Sequence, residues 1–181
     1  MEALRVKGGA VNLQSILEAR RRIRDFVTRT PTYPSVALSQ QTGAEVYLKL
    51  ESFQPIGVFK IRGVFNKLGS LSPQELGRGL VTASSGNHGL AVAYAAKIYG
   101  TRAVVCVPEK AVEDKVKAIR SHGAEIVKYG KDYDEAYLKA LEVQRETGAT
   151  FVHPFDDPYV ISGQGTIGLE LLEDVPDLDS V

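Results

Sequence analysis

Short apolar runs alternate with longer amphipathic segments through the middle of the chain, and this alternation limits the possible folds more than any other feature. The pattern predicts strands over residues 80–83, 103–107, 125–128 and 150–152, and helices over residues 87–99, 112–122 and 133–146. Strands that alternate with helices of this length imply right-handed crossovers and a parallel sheet. We therefore predict a three-layer α/β fold, with helices on both faces of the parallel sheet.

The flanking segments are predicted to be mostly helical. An amphipathic helix begins near Leu13, and the sequence over residues 30–34, which contains two prolines, stops it. No strand is predicted before residue 45. The remaining predicted elements are a short helix through residue 41 that Ser35 caps, a strand over 45–50, a helix from Lys60 to about Leu71, and a helix over 158–174.

Nicotinamide-dinucleotide domains have the same rhythm of strands and helices, so they are the main alternative within this fold class. Such a domain requires a G-x-G-x-x-G pattern directly after a strand and an acidic residue about 20 positions later. No such glycine pattern follows a predicted strand here, and neither a P-loop nor a G-x-S-x-G motif is present. The sequence therefore argues against a dinucleotide-binding site, a P-loop and a G-x-S-x-G nucleophile.

The composition is that of an ordinary globular protein: of 181 residues, 44% are hydrophobic and 24% are charged. The 22 lysines and arginines balance the 22 aspartates and glutamates, so the charge indicates neither a nucleic-acid-binding nor a membrane-binding surface. No signal-like apolar stretch occurs over residues 1–10 and no transmembrane candidate is present, which predicts a cytoplasmic protein.

Cysteine and histidine give no sign of a disulfide or a metal site. Cys106, the single cysteine, lies in an apolar strand-like run and is predicted to be a small buried hydrophobe. The histidines His88, His122 and His153 are far apart in the sequence and lack metal-ligand spacing. We therefore predict no disulfide within the chain and no bound metal.

A loop of small polar residues, Ser-Ser-Gly-Asn-His-Gly over residues 84–89, joins a predicted strand to a predicted helix. Unpaired N–H groups and the positive end of the helix dipole at such a point attract a carboxylate or a phosphate. Gly86 and Gly89 would let the backbone approach the anion closely, and the serine, asparagine and histidine side chains add donors. The alternative is an ordinary strand-to-helix turn built from turn-forming residues.

Lys60 lies among the apolar residues Val58, Phe59 and Ile61, where a helix is predicted to begin. Burial and the positive end of a helix dipole both lower the pKa of such a lysine below its reference value of about 10.4. The free amine that results can attack a carbonyl carbon. The alternative is a solvated surface lysine, which is the usual environment of this residue type.

Three blocks of sequence occur together in a specific order: Phe-Lys-Ile-Arg-Gly over 59–63, the 84–89 loop, and His-Pro-Phe-Asp-Asp-Pro over 153–158 with Gly-Gln-Gly-Thr-Ile-Gly-Leu-Glu over 163–170. Together these blocks resemble the threonine and serine dehydratases and the serine racemases. Those are pyridoxal-phosphate enzymes of the tryptophan-synthase β-subunit fold, fold type II. The resemblance covers nearly the whole chain from about Leu13, and it implies pyridoxal 5'-phosphate as cofactor and an amino acid as substrate.

The resemblance also implies roles for individual residues. Lys60 matches the lysine that binds the cofactor covalently and later moves the substrate α-proton. Phe59 matches a residue that packs against the cofactor ring, although core packing fits it equally, and Asn87 matches the asparagine that binds the cofactor's phenolic oxygen. Ser85 stands where the racemases place a hydroxyl opposite the lysine, so it is a second candidate catalytic residue. The implied receptor for the substrate carboxylate consists of Ser84, Ser85, Gly86, Asn87 and His88.

The implied reaction is the dehydration and deamination of threonine or serine to a 2-oxo acid and ammonia. A racemase of the same fold is the alternative, and a third possibility is a fragment with no catalytic activity of its own. Residues 56–58, Ile-Gly-Val, depart from the small or hydroxylated residues that usually precede the Phe-Lys pair in the family. This departure predicts altered hydrogen bonding near the lysine.

The chain is expected to be the N-terminal portion of a longer dehydratase-like protein, because the family continues for a comparable length and includes a glycine-rich loop for the cofactor phosphate. Residues 1–78 are predicted to form an incomplete first part of the large cofactor-binding domain. Residues 79–155 would form a small α/β subdomain, and residues 156–181 would return into the large domain. The family also implies a homodimer.

Overall fold

A computed structural model of the chain describes residues 5–6 and 9–181, with side chains from residue 11 onward. Residues 1–4, 7 and 8, on which part of the prediction for residues 1–10 falls, lie outside the described residues. The strands are β1 (Arg5–Val6), β2 (Gly9–Ala10), β3 (Thr32–Pro34), β4 (Tyr47–Lys49), β5 (Leu80–Ala83), β6 (Ala103–Val107), β7 (Glu125–Lys128) and β8 (Thr150–Phe151). The helices are α1 (Leu13–Ile23), α2 (Val36–Thr42), α3 (Lys60–Leu68), α4 (Pro73–Arg78), α5 (Asn87–Tyr99), α6 (Glu113–Ser121), α7 (Tyr133–Thr147) and α8 (Pro158–Asp174), with a 3-10 turn at Glu51–Phe53.

Four strands form one parallel sheet with the order β7-β6-β5-β8. Leu80 of β5 pairs with Ala103 of β6 and with Thr150 of β8, and Val104 of β6 pairs with Glu125 of β7. All four residues of β5 are buried, as expected for a strand with helices on both sides. The predicted α/β class is confirmed, and the four predicted strands agree with the observed ones to within a residue.

Helices cover both faces of this sheet. On one face, α5 and α6 pack together with α3 around a core that includes Phe65, Val92 and Ile119. On the other face, α7 packs against β5 and β6 through Ala140. Cys106 is buried on this second face, and burial raises the pKa of its thiol to about 11, so the thiol is unreactive as well as buried.

The described ranges contain neither a candidate membrane-spanning helix nor a candidate metal-binding cluster. No helix there combines the length and the apolar character that a membrane crossing requires. No group of three or more histidine, cysteine, aspartate or glutamate side chains there is arranged to hold a metal ion.

The helices α1, α3 and α8 pack against one another beside the sheet. The backbones of α3 and α8 approach closely at Gly63 and Gly163. A Cβ atom at Gly163 would lie 2.5 Å from the carbonyl oxygen of Arg62 and 2.6 Å from the Cα atom of Gly63. Glycine is therefore required at this crossing, because any side chain would overlap the backbone of the neighbouring helix.

We expect Gly163→Ala to lower the free energy of unfolding by about 1–3 kcal/mol, because the added methyl group overlaps backbone atoms of α3. Gly168→Ala is the matched control, since it lies on the same helix and a Cβ atom there meets no atom within 4 Å. The control should be neutral or more stable by up to about 1 kcal/mol, because alanine favours the helix. Urea unfolding compares the two, and equal effects would contradict the predicted steric conflict.

The sequence pattern did not predict the short elements β1, β2, β3 and α4 or the 3-10 turn, so the expectation of no strand before residue 45 was wrong. Thr32 of β3 pairs with Lys49 of β4 in an antiparallel ladder. The prolines near β3 indicated only the end of a helix, but proline is tolerated in an edge strand once a partner is present. Helix α4 begins with a reciprocal capping box between Ser72 and Glu75, with Pro73 in its first turn, and this local signal could have been detected in the sequence.

Candidate active site

Lys60 begins α3, directly after a tight turn in which Gly57 is left-handed and donates its N–H to the carbonyl of Gln54. The side-chain nitrogen, Nζ, donates a hydrogen bond of 2.9 Å to the carbonyl oxygen of Pro154. No carboxylate of the described residues pairs with it. Burial lowers the pKa of Lys60, because a half-buried ammonium loses part of its hydration. The predicted direction of this pKa shift is confirmed.

The predicted anion-binding loop connects β5 to α5. The backbone N–H of Ser84 donates to the carbonyl of Cys106, and Ser84 Oγ accepts the N–H of Gly86 at 3.2 Å. Helix α5 begins at Asn87, and no side chain in the described part of the chain caps its first turn. A Cβ atom at Gly86 would meet no atom within 4 Å. The loop therefore presents uncapped helix N–H groups beside open space, an arrangement that binds anions.

Gly89, rather than Gly86, is the position where the packing of this loop requires glycine. A Cβ atom at Gly89 would lie 2.2 Å from the carbonyl oxygen of Ser84 and 3.1 Å from atoms of Val105 and Ile119. The sequence interpretation concerned the approach of the backbone to a bound anion, and for both glycines that stays a prediction.

His88 is buried, with 3% of its surface exposed, and its Nε2 atom lies 3.0 Å from the carbonyl oxygen of Val152. A carbonyl oxygen can only accept a hydrogen bond, so Nε2 carries the ring proton. Burial lowers the pKa of His88 to about 4; the hydrogen bond to Val152 opposes this shift, and the charge of Lys60 adds to it. The ring N–H is thus used within the chain. The expectation that this side chain adds a donor to the loop was wrong, and His88 offers an anion only its backbone N–H.

The other predicted site residues lie at the starts of α3 and α5. Phe59 directly precedes α3, and the Nζ atom of Lys60 lies 5.3 Å from the centroid of its ring. The side chain of Phe59 is 38% exposed, so it is not a core residue. Ser85 is half-buried in the loop, and Asn87 is exposed at the first position of α5. The ligand-binding roles of Phe59, Ser85 and Asn87 stay predictions.

Residues 152–154, which connect β8 to α8, accept hydrogen bonds from both Lys60 and His88. The sequence analysis assigned this connection no role. The carbonyl oxygen of Pro154 accepts the hydrogen bond from Lys60. The carbonyl oxygen of Val152 accepts from His88 and, at 2.8 Å, from Thr82 Oγ1. Sequence patterns could not reveal these interactions, because the acceptors are backbone carbonyl groups that every residue carries.

Arg62 is a second feature that the sequence analysis missed. Its side chain has no exposed surface and follows Lys60 by two residues, so it projects from the other side of α3. The guanidinium donates two hydrogen bonds to Glu51 and two to Glu170, at 2.7–2.9 Å. These contacts hold the start of α3 against α8 and the 3-10 turn. An arginine within the apolar run Ile-Arg-Gly-Val-Phe was the signal that could have identified this network.

Comparison with known proteins identifies the group to which this chain is similar. A protein-family model described as pyridoxal-phosphate dependent enzyme matches residues 23–181. The L-threonine ammonia-lyase of Thermotoga maritima is 49% identical over 171 residues, which make up 94% of this chain and 43% of that protein. The chain spans about half the length of the curated relatives it matches.

Solved structures give the same result. Maize serine racemase has a TM-score of 0.89 at 41% identity, over 93% of this chain and 51% of that one. The processed threonine deaminase isoform 2 from Solanum lycopersicum has a TM-score of 0.83 at 34% identity, over 98% of this chain and 53% of that one. The predicted resemblance is confirmed, since both the family match and the structural match extend over most of the chain. The chain belongs to the pyridoxal-phosphate dependent enzymes of fold type II, whose cofactor is pyridoxal 5'-phosphate.

Proposed function

We propose that the protein carrying this chain is an ammonia-lyase that converts threonine or serine to a 2-oxo acid and ammonia. The environment of Lys60 is the observation that carries the proposal. Its amine is half-buried at the start of a helix, and its pKa is lowered by burial without a carboxylate partner among the described residues. Such an amine is a nucleophile for an aldehyde carbon. The name of the Thermotoga maritima relative, L-threonine ammonia-lyase, also supports this reaction.

The residues present fit pyridoxal phosphate. Its aldehyde requires a reactive amine, which Lys60 supplies, and its ring requires an apolar surface, which the exposed side of Phe59 supplies. The uncapped start of α5 beside Gly86 offers donors and space for an anionic group. In this proposal Lys60 and Phe59 hold the cofactor, and Asn87 binds its phenolic oxygen.

When bound, pyridoxal phosphate supplies an electron sink for the carbanion that remains after the substrate loses its α-proton. The Lys60 amine takes up that proton, and no neighbouring carboxylate of the described residues competes for the amine. The first turn of α5, with Ser84, Ser85 and the backbone N–H of His88, orients the substrate carboxylate. For threonine the net products are 2-oxobutanoate and ammonia, because hydrolysis returns the water lost by elimination.

The proposal extends to the whole protein, of which this chain would form the N-terminal portion. Residues 1–78 and 156–181 would belong to a large cofactor-binding domain and residues 79–155 to a small α/β subdomain, a division supported by the confinement of the parallel sheet to β5–β8. A homodimer is proposed from the family resemblance, and a cytoplasmic location is proposed from the sequence analysis. Analytical ultracentrifugation of the purified protein and fractionation of cells test these two points.

The proposed reaction is tested by incubating the purified protein with pyridoxal phosphate and L-threonine or L-serine. We expect equal amounts of ammonia and of 2-oxobutanoate or pyruvate, because elimination and hydrolysis release one of each. The assay measures the 2-oxo acid with a dehydrogenase and ammonia independently. Failure to form either product from any β-hydroxy amino acid would contradict the proposed function.

Racemisation of serine is the second candidate, and the position of Ser85 favours it. Its hydroxyl lies in the loop before α5, where a second proton donor on the face opposite Lys60 would invert the α-carbon. The maize structure similar to this chain is a serine racemase. Chiral analysis of the same reactions distinguishes the two activities, since racemisation forms D-serine without releasing ammonia.

A further inference from the structure

The peptide group of Val152 is held by three hydrogen bonds from two elements. Its N–H donates to the carbonyl of Val81 at 2.9 Å, the last backbone hydrogen bond between β5 and this part of the chain. Its carbonyl oxygen accepts from Thr82 Oγ1 at 2.8 Å and from His88 Nε2 at 3.0 Å. Both donors are buried, and together they occupy both lone pairs of the oxygen. The chain is thus held at the point where the strand ladder ends.

The next two residues lead from this held peptide to the reactive lysine. Pro154 is buried, its ring restricts its own backbone, and its carbonyl oxygen accepts the Lys60 hydrogen bond at 2.9 Å. On the far side, His153 Nδ1 accepts the backbone N–H of Asp156 at 2.7 Å, which closes the turn. The acceptor of the Lys60 amine therefore belongs to a short segment held on both sides.

We propose that Thr82 and His88 are positioning residues for Lys60: by holding the Val152 carbonyl, they place the Pro154 carbonyl that fixes the direction of the Lys60 amine. This inference rests on the proposed role of Lys60 in binding the cofactor. Neither Thr82 nor His88 contacts the lysine side chain through a hydrogen bond. They act through the backbone of residues 152–154.

The chemistry of His88 supports a positioning role over simple packing. Its Nδ1 atom is buried and has no hydrogen-bond partner among the described residues. An unpaired buried polar atom is unfavourable, and an apolar side chain of similar size would fill the same space without it. What the imidazole adds is the Nε2 donor, and because burial holds the pKa of His88 at about 4, the ring stays in this neutral form at physiological pH.

The test measures how selectively Lys60 reacts. The chain is mixed with limiting pyridoxal phosphate, reduced with borohydride, and digested, and the label at each lysine is measured by mass spectrometry. The ratio of label at Lys60 to label at the exposed Lys97 is an internal measure that protein concentration does not affect. We compare Thr82→Val and His88→Leu, which remove the donors, with Thr82→Ser and His88→Gln, which keep one.

In the wild-type chain we expect labelling to be concentrated at Lys60. Loss of either donor should lower the Lys60-to-Lys97 ratio about 10-fold or more, because small displacements of a reacting group have effects of this size. The serine and glutamine variants should recover the ratio to within about 3-fold. A purely structural role predicts a changed melting temperature with an unchanged ratio, so thermal unfolding of each variant is measured alongside.

The outcomes separate the two proposals. If labelling is concentrated at Lys60 in the wild type and in both donor-free variants, the positioning role is wrong and the proposed function stands. If the wild-type chain shows no preference for Lys60, the positioning role is wrong, and the assay with L-threonine and L-serine decides the proposed function independently. If His88→Leu does not fold, Thr82→Val decides the result, because it exchanges one hydroxyl for a methyl group at nearly constant volume.

Discussion

Replacing Lys60 with alanine should abolish covalent attachment of pyridoxal phosphate at this position and lower threonine elimination by about 10³-fold or more. The reason is that one amine both holds the cofactor and moves the substrate α-proton in the proposed reaction. Borohydride reduction followed by peptide mapping measures the attachment, and formation of the 2-oxo acid measures the reaction. Lys97→Ala, at an exposed position of α5, is the control and should change neither measurement.

The loss of label in Lys60→Ala identifies the reactive lysine only if this variant stays folded. Lys60 has a pKa lowered by burial, so its charged form is less stable in the folded chain than in water. Removing it forfeits one hydrogen bond, to Pro154, and relieves this cost. We therefore expect the free energy of unfolding of Lys60→Ala to lie within about 1 kcal/mol of that of the wild type. Continued labelling of a single other lysine, with activity retained, would mean that the catalytic lysine has been assigned to the wrong residue.

Replacing Arg62 with methionine should lower the free energy of unfolding by about 3–5 kcal/mol. Methionine fills much of the space but leaves Glu51 and Glu170 without their guanidinium partner, and the side chains of these carboxylates are only 14% and 7% exposed. Lys49 still pairs with Glu170 at 2.8 Å, so Glu51 becomes the less compensated of the two. Urea unfolding measures the loss.

The effect of Arg62→Met should decrease as the pH falls. Burial raises the pKa of Glu51, but hydrogen bonds from Arg62 and Thr30 outweigh it and place the pKa below the ordinary value of 4.5. In the wild type, this stabilisation is complete above pH 4.5 and is lost as the pH falls through the folded pKa. Without Arg62, burial becomes the main influence on the pKa of Glu51 and raises it. Protonation of Glu51 at low pH then removes a buried charge and makes the variant less destabilised.

Arg24→Met is the matched control for this experiment. Arg24 pairs with Asp25 on the surface, where the two side chains are 73% and 76% exposed. Such pairs contribute little, so the control should change stability by less than about 0.5 kcal/mol at any pH. If Arg62→Met were no more destabilising than this control, the buried network would not be what holds the start of α3.

The sequence by itself determined the elements of the parallel sheet and its helices. The strands over 80–83, 103–107 and 125–128 and the helix over 87–99 were predicted with their observed limits. These limits follow from local information, since the apolar period and the turn-forming residues lie within each segment. The three sequence blocks likewise carried the resemblance to the family, which the comparisons confirmed.

Only the tertiary structure decided how the candidate site is built. Lys60 reaches the carbonyl of Pro154 across 94 residues, His88 reaches Val152 across 64, and Arg62 reaches Glu170 across 108. No periodicity specifies which distant group a polar side chain will meet, because that depends on how the elements pack. Burial and the hydrogen bond to Val152 likewise committed the His88 ring to the backbone, which nothing near His88 in the sequence indicated. The lowered pKa of Lys60, by contrast, was already predicted from its apolar neighbours in the sequence.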